Sequence, residues 1–139
     1  MSVIAVTGAS GYIGGRLVPL LLENGHEVRV LTRRKDALRD VPWRAEVEVI
    51  EGDLADRQAA QELCRGATAL YYLVHSMGGT SDFAPLEERC ARTIVQAART
   101  EGIERFVYLS GLHPSGELSR HLSSRVKVRE ILDASGIPT

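Results

Sequence analysis

The sequence is poor in cysteine and aromatic residues and carries almost no net charge. It contains 2 cysteines in 139 residues, 5% aromatic residues and a formal net charge of -1 at pH 7. Cys64 and Cys90 lack the close spacing that zinc sites and redox pairs require, so we expect buried, inert thiols and no metal site. The near-zero net charge provides no field that would attract nucleic acid or an anionic membrane. We therefore expect no nucleic-acid partner.

Long apolar runs are also missing. The longest lies near residues 17–22, which is far shorter than the about 18 residues that a membrane helix needs. The amino terminus has no basic region ahead of an apolar stretch and no small-residue cleavage site. We therefore expect no membrane segment, no signal peptide and a cytoplasmic protein.

What is present is an ordinary globular balance, with 44% apolar and 25% charged residues. Apolar runs typical of buried strands alternate with segments of helical spacing. This alternation predicts an α/β fold with a doubly wound parallel sheet of the Rossmann type, with about five strands. The predicted strands are 3–6, 28–31, 47–50, 70–74 and 105–109, with helices from 13 to a cap at Gly25, over 86–100 and over 118–134, and a helical stretch after each of the second and third strands.

The predicted domain covers residues 1–139 without a linker or internal repeat. Its last residues, 135–139, are typical of a helix exit that leads into a further strand. We therefore expect the domain to be truncated, with its last strand and its substrate region missing. A second local anomaly is Pro19 within the first helix, which predicts a kink or unusually good packing because proline removes a helix hydrogen bond.

The first strand ends in a glycine-rich turn, Gly8-Ala9-Ser10-Gly11-Tyr12-Ile13-Gly14. A strand, three glycines and an amphipathic helix in this order are typical of dinucleotide-binding domains. The first glycine permits a tight turn, the second lets the backbone approach a pyrophosphate, and the third lets helix and strand pack closely. The free amides near Tyr12 and Ile13 favour negative charge, and the Ser10 hydroxyl could add a hydrogen bond. We therefore predict a pyrophosphate site here.

The second strand ends in Thr32-Arg33-Arg34. NAD-binding domains carry a carboxylate about 20 residues after the glycine turn that bonds the ribose 2′-hydroxyl. Guanidinium groups instead pair with phosphate, so Arg33 and Arg34 favour NADP over NAD. In the alternative, both arginines are solvated and Asp36 turns inward to the ribose.

Further candidates follow the third and fourth strands. Asp53 lies where ligands bind in open α/β sheets and could accept a hydrogen bond from an adenine amino group, or cap the following helix, or both. Val74, His75 and Ser76 end the fourth strand on the same edge, and we expect them to line the nicotinamide side.

The glycine turn, Gly52-Asp53-Leu54 and Tyr108-Leu109-Ser110 together resemble the short-chain dehydrogenase/reductase superfamily, particularly its atypical NmrA-like branch. The resemblance spans nearly the whole chain. It implies that the glycine turn, the residues after the second strand and the pair Asp53 and Leu54 contact the cofactor. It also implies a serine after the fifth strand, a place that Ser110 fits.

Catalytically complete members carry a Tyr-x-x-x-Lys pair on the next helix, and the sequence contains no such pair. Alignment on the helix exit places His121 and Arg125 where tyrosine and lysine belong. His121 could act as an acid or base near neutral pH, with Arg125 holding an anion, or both could lie on an exposed polar face without chemistry. His75 and His113 are equally open to a structural role, so the catalytic residues stay unassigned.

Two functions remain compatible with the pattern. The first is an NADP-dependent oxidoreductase acting on a small organic substrate with nonstandard acid–base residues. The second is a non-catalytic NADP-binding redox sensor or assembly factor. A methyltransferase using S-adenosylmethionine also has a glycine turn, but it usually needs an acid at the end of the second strand, where Arg33 and Arg34 stand.

Overall fold

A computed structural model of the chain describes residues 2–73, 83–109 and 120–139. These ranges contain five strands: β1 (Val3–Thr7), β2 (Glu27–Thr32), β3 (Glu48–Glu51), β4 (Ala69–Tyr72) and β5 (Arg105–Tyr108). Each neighbouring pair is parallel, in the order β3-β2-β1-β4-β5. The predicted parallel sheet of the Rossmann type is confirmed.

Four α-helices connect or follow these strands within the described ranges: α1 (Tyr12–Glu23), α2 (Arg57–Cys64), α3 (Phe83–Glu101) and α4 (Arg120–Asp133). The expected helical stretch between β2 and β3 is present as two short 3₁₀ segments, Lys35–Leu38 and Arg44–Glu46. Pro42 lies between them and lacks the amide that a continuous helix would use. Among the residues described, no helix is long and apolar enough to cross a membrane.

The core forms one layer on each face of the sheet, because alternate strand residues point to opposite faces. On one face Leu70, Tyr72 and Phe106 pack against α2, α3 and α4. On the other face Val6 and Val30 pack against α1 and the connection between β2 and β3. The carboxyl ends of the strands therefore meet along one open edge between the two layers.

Pro19 lies inside α1, which continues from Tyr12 to Glu23. In a regular helix the amide at position 19 would bond the carbonyl of Gly15, but proline has no amide hydrogen. The indole nitrogen of Trp43, which is buried, donates to that carbonyl at 3.2 Å. The carbonyl that Pro19 leaves without a helical partner is therefore bonded by Trp43, which ties the segment between β2 and β3 to α1.

The last described residues run beside β5. The Phe106 amide donates to the Pro138 carbonyl at 2.8 Å. The Tyr108 hydroxyl donates to the Arg125 carbonyl at 3.1 Å, and its ring lies 5.8 Å from that of Tyr72. These contacts join α4 and the chain after it to the β4–β5 side of the sheet.

Candidate functional site

The turn after β1 is made almost entirely of main chain. Gly8 has φ +78°, and a Cβ there would come 3.0 Å from the Leu73 carbonyl carbon at the end of β4. The Gly11 amide donates to the Gly8 carbonyl at 3.1 Å and closes the turn. A Cβ on Gly14 would lie 2.3 Å from the same Gly8 oxygen and 2.7 Å from Ala9 Cα. Glycine is therefore required at 8 by conformation and at 14 by packing of the helix on the turn.

Helix α1 begins immediately after this turn, with Gly11 as its N-cap. In the described part of the chain no side chain caps it, and its first turn carries no acidic residue. Because the first amides of a helix have no acceptor within the helix, those near Tyr12 and Ile13 are suited to an anion. The Arg16 guanidinium, 3.6 Å from the centre of the Tyr12 ring, adds a positive charge one turn along.

A groove of about 590 Å³ runs from this turn across the carboxyl ends of β1, β2 and β3. Six of the predicted cofactor residues lie on its wall: Gly8, Ser10, Arg33, Arg34, Asp53 and Leu54. The walls also include residues outside that predicted set: Thr7, Leu31, Thr32, Ala37, Gly52, Leu86 and Cys90. Gly11, Tyr12, Ile13 and Gly14 form the turn and helix start at the end of this groove.

The arginine pair lies on the groove wall, while Asp36 is absent from the lining residues. Asp36 belongs instead to the first 3₁₀ segment, and its side chain is exposed. Arg33 and Arg34 are exposed too, and among the described residues Asp53 is the one acid that lines the groove. Asp36 does not turn inward to this groove.

Asp53 follows β3, and its carboxylate accepts from the Ala55 amide at 3.0 Å. The N-cap of α2 is Asp56, whose carboxylate accepts from the Gln58 amide at 3.1 Å. The suggestion that Asp53 caps this helix is therefore wrong, because the helix starts one turn later than a cap at position 53 would require. Asp53 is left in a local turn on the groove wall.

The groove also contains two α3 side chains that sequence reasoning did not assign to it, Leu86 and Cys90. Burial, followed by the nearby Asp53 carboxylate, raises the pKa of the Cys90 thiol to about 11, although Arg89 and Arg33 act to lower it. Burial likewise raises the pKa of Cys64 to about 12. The expectation of two buried thiols is confirmed. The sequence gives one weak indication that Leu86 and Cys90 line the groove. Both lie near the start of the helix that follows β4.

The nicotinamide end of the site falls largely on positions that are not described. Val74, His75, Ser76, Ser110 and His113 lie outside the described residues, and so does the side chain of His121.

The described part of that end is the packing of α4. Ser124 donates to the buried Glu87 carboxylate of α3. The Arg125 side chain is half-buried, and its charge lowers the Tyr108 pKa, which burial and Glu87 raise to about 12. Arg125 therefore lies close to Tyr108 of β5.

A second hollow, of about 650 Å³, lies between α3 and α4 and is lined by Arg92, Val95, Arg99 and Lys127 among others. It lies away from the carboxyl edge of the sheet. None of the predicted site residues lines it. The groove remains the candidate site because it joins the glycine turn to the ends of three strands.

The comparison with protein families agrees with this geometry. The model of a family described as NAD(P)H-binding matches residues 8–136. The chain belongs to this family. Among relatives, a ceramide reductase of Caulobacter vibrioides is 36% identical over 113 residues, which cover 79% of this chain and 35% of that protein.

Solved structures share the fold. A triphenylmethane reductase of Citrobacter sp. in complex with NADP(H) matches with a TM-score of 0.79 and 23% identity, over 97% of this chain and 46% of that one. NmrA, described as a negative transcriptional regulator, matches with a TM-score of 0.78 and 20% identity, over 98% of this chain and 43% of that one. The resemblance is confirmed at the level of the NAD(P)H-binding family, and the solved structures, NmrA among them, share the fold.

The chain spans about a third of the length of the curated relatives it matches and just under half of the two solved chains named above. Nicotinamide dinucleotide binding is supported for the part that they share.

Proposed function

We propose that the chain is the NADP(H)-binding part of an oxidoreductase that acts on a small organic substrate. In this proposal the amides at the start of α1 hold the pyrophosphate, Arg33 and Arg34 pair with the 2′-phosphate, and Asp53 accepts from the adenine amino group. The bound dinucleotide supplies the hydride chemistry. The residues of this chain bind and orient it.

The observation that carries the choice of NADP is the arginine pair on the groove wall. A phosphate between two guanidinium groups gains charge-assisted hydrogen bonds, whereas the ribose hydroxyl of NAD offers no charge to pair with. Asp36, the nearest acid in sequence, is exposed and lies off that wall. NADPH should therefore bind more tightly than NADH.

Calorimetric titration with NADPH and NADH tests this preference. We expect NADPH to bind at least about tenfold more tightly, which corresponds to about 1.4 kcal/mol. The double variant Arg33→Ala, Arg34→Ala should lose that difference and leave NADH affinity within about twofold. Arg39→Ala removes an exposed arginine of the same connection that is not on the groove wall, so it is the matched control. Tighter binding of NADH by the unmodified chain would overturn the NADP assignment.

A second candidate is a non-catalytic NADP(H)-responsive sensor. Two observations favour it: the sequence contains no Tyr-x-x-x-Lys, and NmrA, which shares the fold, is described as a regulator. In this version the groove binds the same dinucleotide, and occupancy itself is the signal. The two functions differ in whether hydride leaves the bound cofactor.

Hydride transfer separates the two candidates. NADPH absorbance followed across a panel of carbonyl and quinone compounds should fall with at least one of them if the protein is an oxidoreductase. His121→Ala should then slow the reaction without changing NADPH affinity. Binding of NADPH with no oxidation across the panel would favour the sensor.

We also propose that the domain continues with a sixth strand beside β5. The bond from the Phe106 amide to the Pro138 carbonyl supports this, because it holds the chain that follows α4 beside β5. The relatives, about three times as long as the stretch they share with this chain, provide room for that strand and for a substrate region. A structure of a longer protein that carries this chain tests the proposal, and residues after 139 turning away from β5 would contradict it.

A further inference from the structure

The segment from Thr32 to Lys35 is held in place at two points. The Thr32 hydroxyl donates to the Arg34 carbonyl at 3.0 Å and lies 3.4 Å from the Arg34 amide. The Lys35 amide donates to the Glu51 carboxylate at 2.8 Å. Between these contacts Arg34 is extended, with φ -139° and ψ 121°. The backbone that carries both arginines is therefore fixed at each end.

Glu51 reaches this segment from the neighbouring strand. It is the last residue of β3 and lies opposite Thr32 in the parallel register, and the next amide, that of Gly52, donates to the Thr32 carbonyl at 2.9 Å. A hydrogen bond to an ionised carboxylate is stronger than one between neutral groups. The carboxylate also satisfies the first amide of the 3₁₀ segment that begins at Lys35.

We propose that Glu51 is a positioning residue for cofactor discrimination. By binding the Lys35 amide it fixes the turn on which Arg33 and Arg34 face the groove, so that both guanidinium groups are prearranged for a 2′-phosphate. The inference rests on the proposed NADP preference. The negative charge of Glu51 by itself would repel a phosphate. In this proposal Glu51 instead supports phosphate binding, because it holds the backbone that carries the two arginines.

The two roles are separable because glutamine keeps an acceptor oxygen and removes the charge. Glu51→Gln should retain the ratio of NADPH to NADH affinity or raise it. Glu51→Ala should weaken NADPH binding by about fivefold and leave NADH binding within about twofold, because the loss of one charge-assisted hydrogen bond loosens only the arginine segment. Glu104→Ala, which removes an exposed carboxylate at the opposite edge of the sheet, is the matched control and should change neither affinity.

An increase in NADPH affinity in both Glu51 variants would overturn the proposal, since it would show that only the charge matters. Unchanged NADPH affinity in Glu51→Ala would overturn it as well.

Amide exchange gives a readout without any nucleotide. The Lys35 amide, followed by NMR, should exchange slowly in the unmodified chain and in Glu51→Gln, and at least about tenfold faster in Glu51→Ala. Fast exchange of this amide in the unmodified chain would overturn the positioning role while leaving NADP binding intact. If the Lys35 amide exchanges slowly but the unmodified chain binds NADH more tightly than NADPH, the NADP assignment is wrong. The role of Glu51 in discrimination is then wrong as well.

Discussion

Two turns meet at the same edge of the sheet and are built in opposite ways. The turn after β1 uses main-chain amides and has no space for a side chain at Gly14. The turn after β2 presents side chains to the groove, those of Arg33 and Arg34. Thr32 and Glu51 hold the backbone of this turn through hydrogen bonds. The first turn suits the pyrophosphate that all nicotinamide dinucleotides share. If Arg33 and Arg34 bind a 2′-phosphate as proposed, the second turn is where one dinucleotide is distinguished from another.

This difference implies different tolerances to mutation. Changes in the first turn should damage folding and the binding of both dinucleotides, because helix and turn are in van der Waals contact. Changes in the second turn should alter the choice of dinucleotide at little cost in stability, because its side chains are exposed.

Gly14→Val should have the largest effect. Its Cβ would come 2.3 Å from the Gly8 oxygen and 2.7 Å from Ala9 Cα, both backbone atoms, so α1 must move. We expect a loss of about 3 kcal/mol in the free energy of unfolding and loss of both NADPH and NADH binding, measured by urea unfolding and calorimetry.

The neighbouring glycine supplies the control. A Cβ on Gly15 would find only the Ala9 oxygen, at 3.7 Å, and alanine is a better helix former than glycine. Gly15→Ala should therefore keep both dinucleotides and stay within about 1 kcal/mol of the unmodified chain. Equal damage from the two changes would show that the close backbone contacts at Gly14 do not explain the effect.

Trp43→Phe tests the hydrogen bond that joins the connection between β2 and β3 to α1. It removes the indole donor from the Gly15 carbonyl, whose helical partner is already missing at Pro19. We expect a loss of about 2 kcal/mol in urea unfolding. In a Pro19→Ala background the new amide can bond this carbonyl, so the same change should cost about 1 kcal/mol less. Identical costs in both backgrounds would show that lost packing, and not the hydrogen bond, explains the effect.

The smallest effect concerns Cys90, which lies in the groove between the two turns, and Cys64, which lies outside it. Burial raises their pKa values from 9.0 to about 11 and about 12. The folded chain therefore holds both thiol protons more tightly than the unfolded chain. This contribution to stability is complete below pH 9 and is lost as pH rises towards 11 to 12.

Urea unfolding at pH 8 and pH 10 should accordingly differ by about 1 kcal/mol for each thiol. Cys90→Ala and Cys64→Ala should each remove their own share of this pH dependence, whatever they do to stability at pH 8. The buried phenols of Tyr72 and Tyr108, whose pKa values are also raised by burial, should leave a smaller pH dependence in the double variant. A pH dependence of unchanged size in that variant would contradict the assignment to the thiols.

Patterns local in sequence predicted the fold well. The strand, glycine turn and helix from Val3 to Glu23 follow from apolar periodicity and from the positions of three glycines. The alternation of strands and helices predicted the parallel sheet, because crossover connections have one hand. The connection between β2 and β3 was predicted less well, since the stretch around Pro42 folds as 3₁₀ segments.

The site could be predicted only in part. Arg33 and Arg34 were identified because they follow a strand end, and the same reasoning suggested Asp53. The role of Glu51 depends on the register between β2 and β3, and Cys90 reaches the groove through packing of α3. Contacts between residues distant in sequence leave no local pattern, so these two residues became visible only in the folded chain.

The bond between Trp43 and the helix that starts at the glycine turn has a practical consequence. The chain contains a single tryptophan, so all of its indole fluorescence comes from Trp43. The Trp43 indole contacts Gly15, in the helix that begins at the proposed pyrophosphate site. A reduced nicotinamide absorbs where indoles emit, and filling of the groove should quench this light. If NADPH fills the groove as proposed, this chain carries its own optical reporter of occupancy, and no dye needs to be attached.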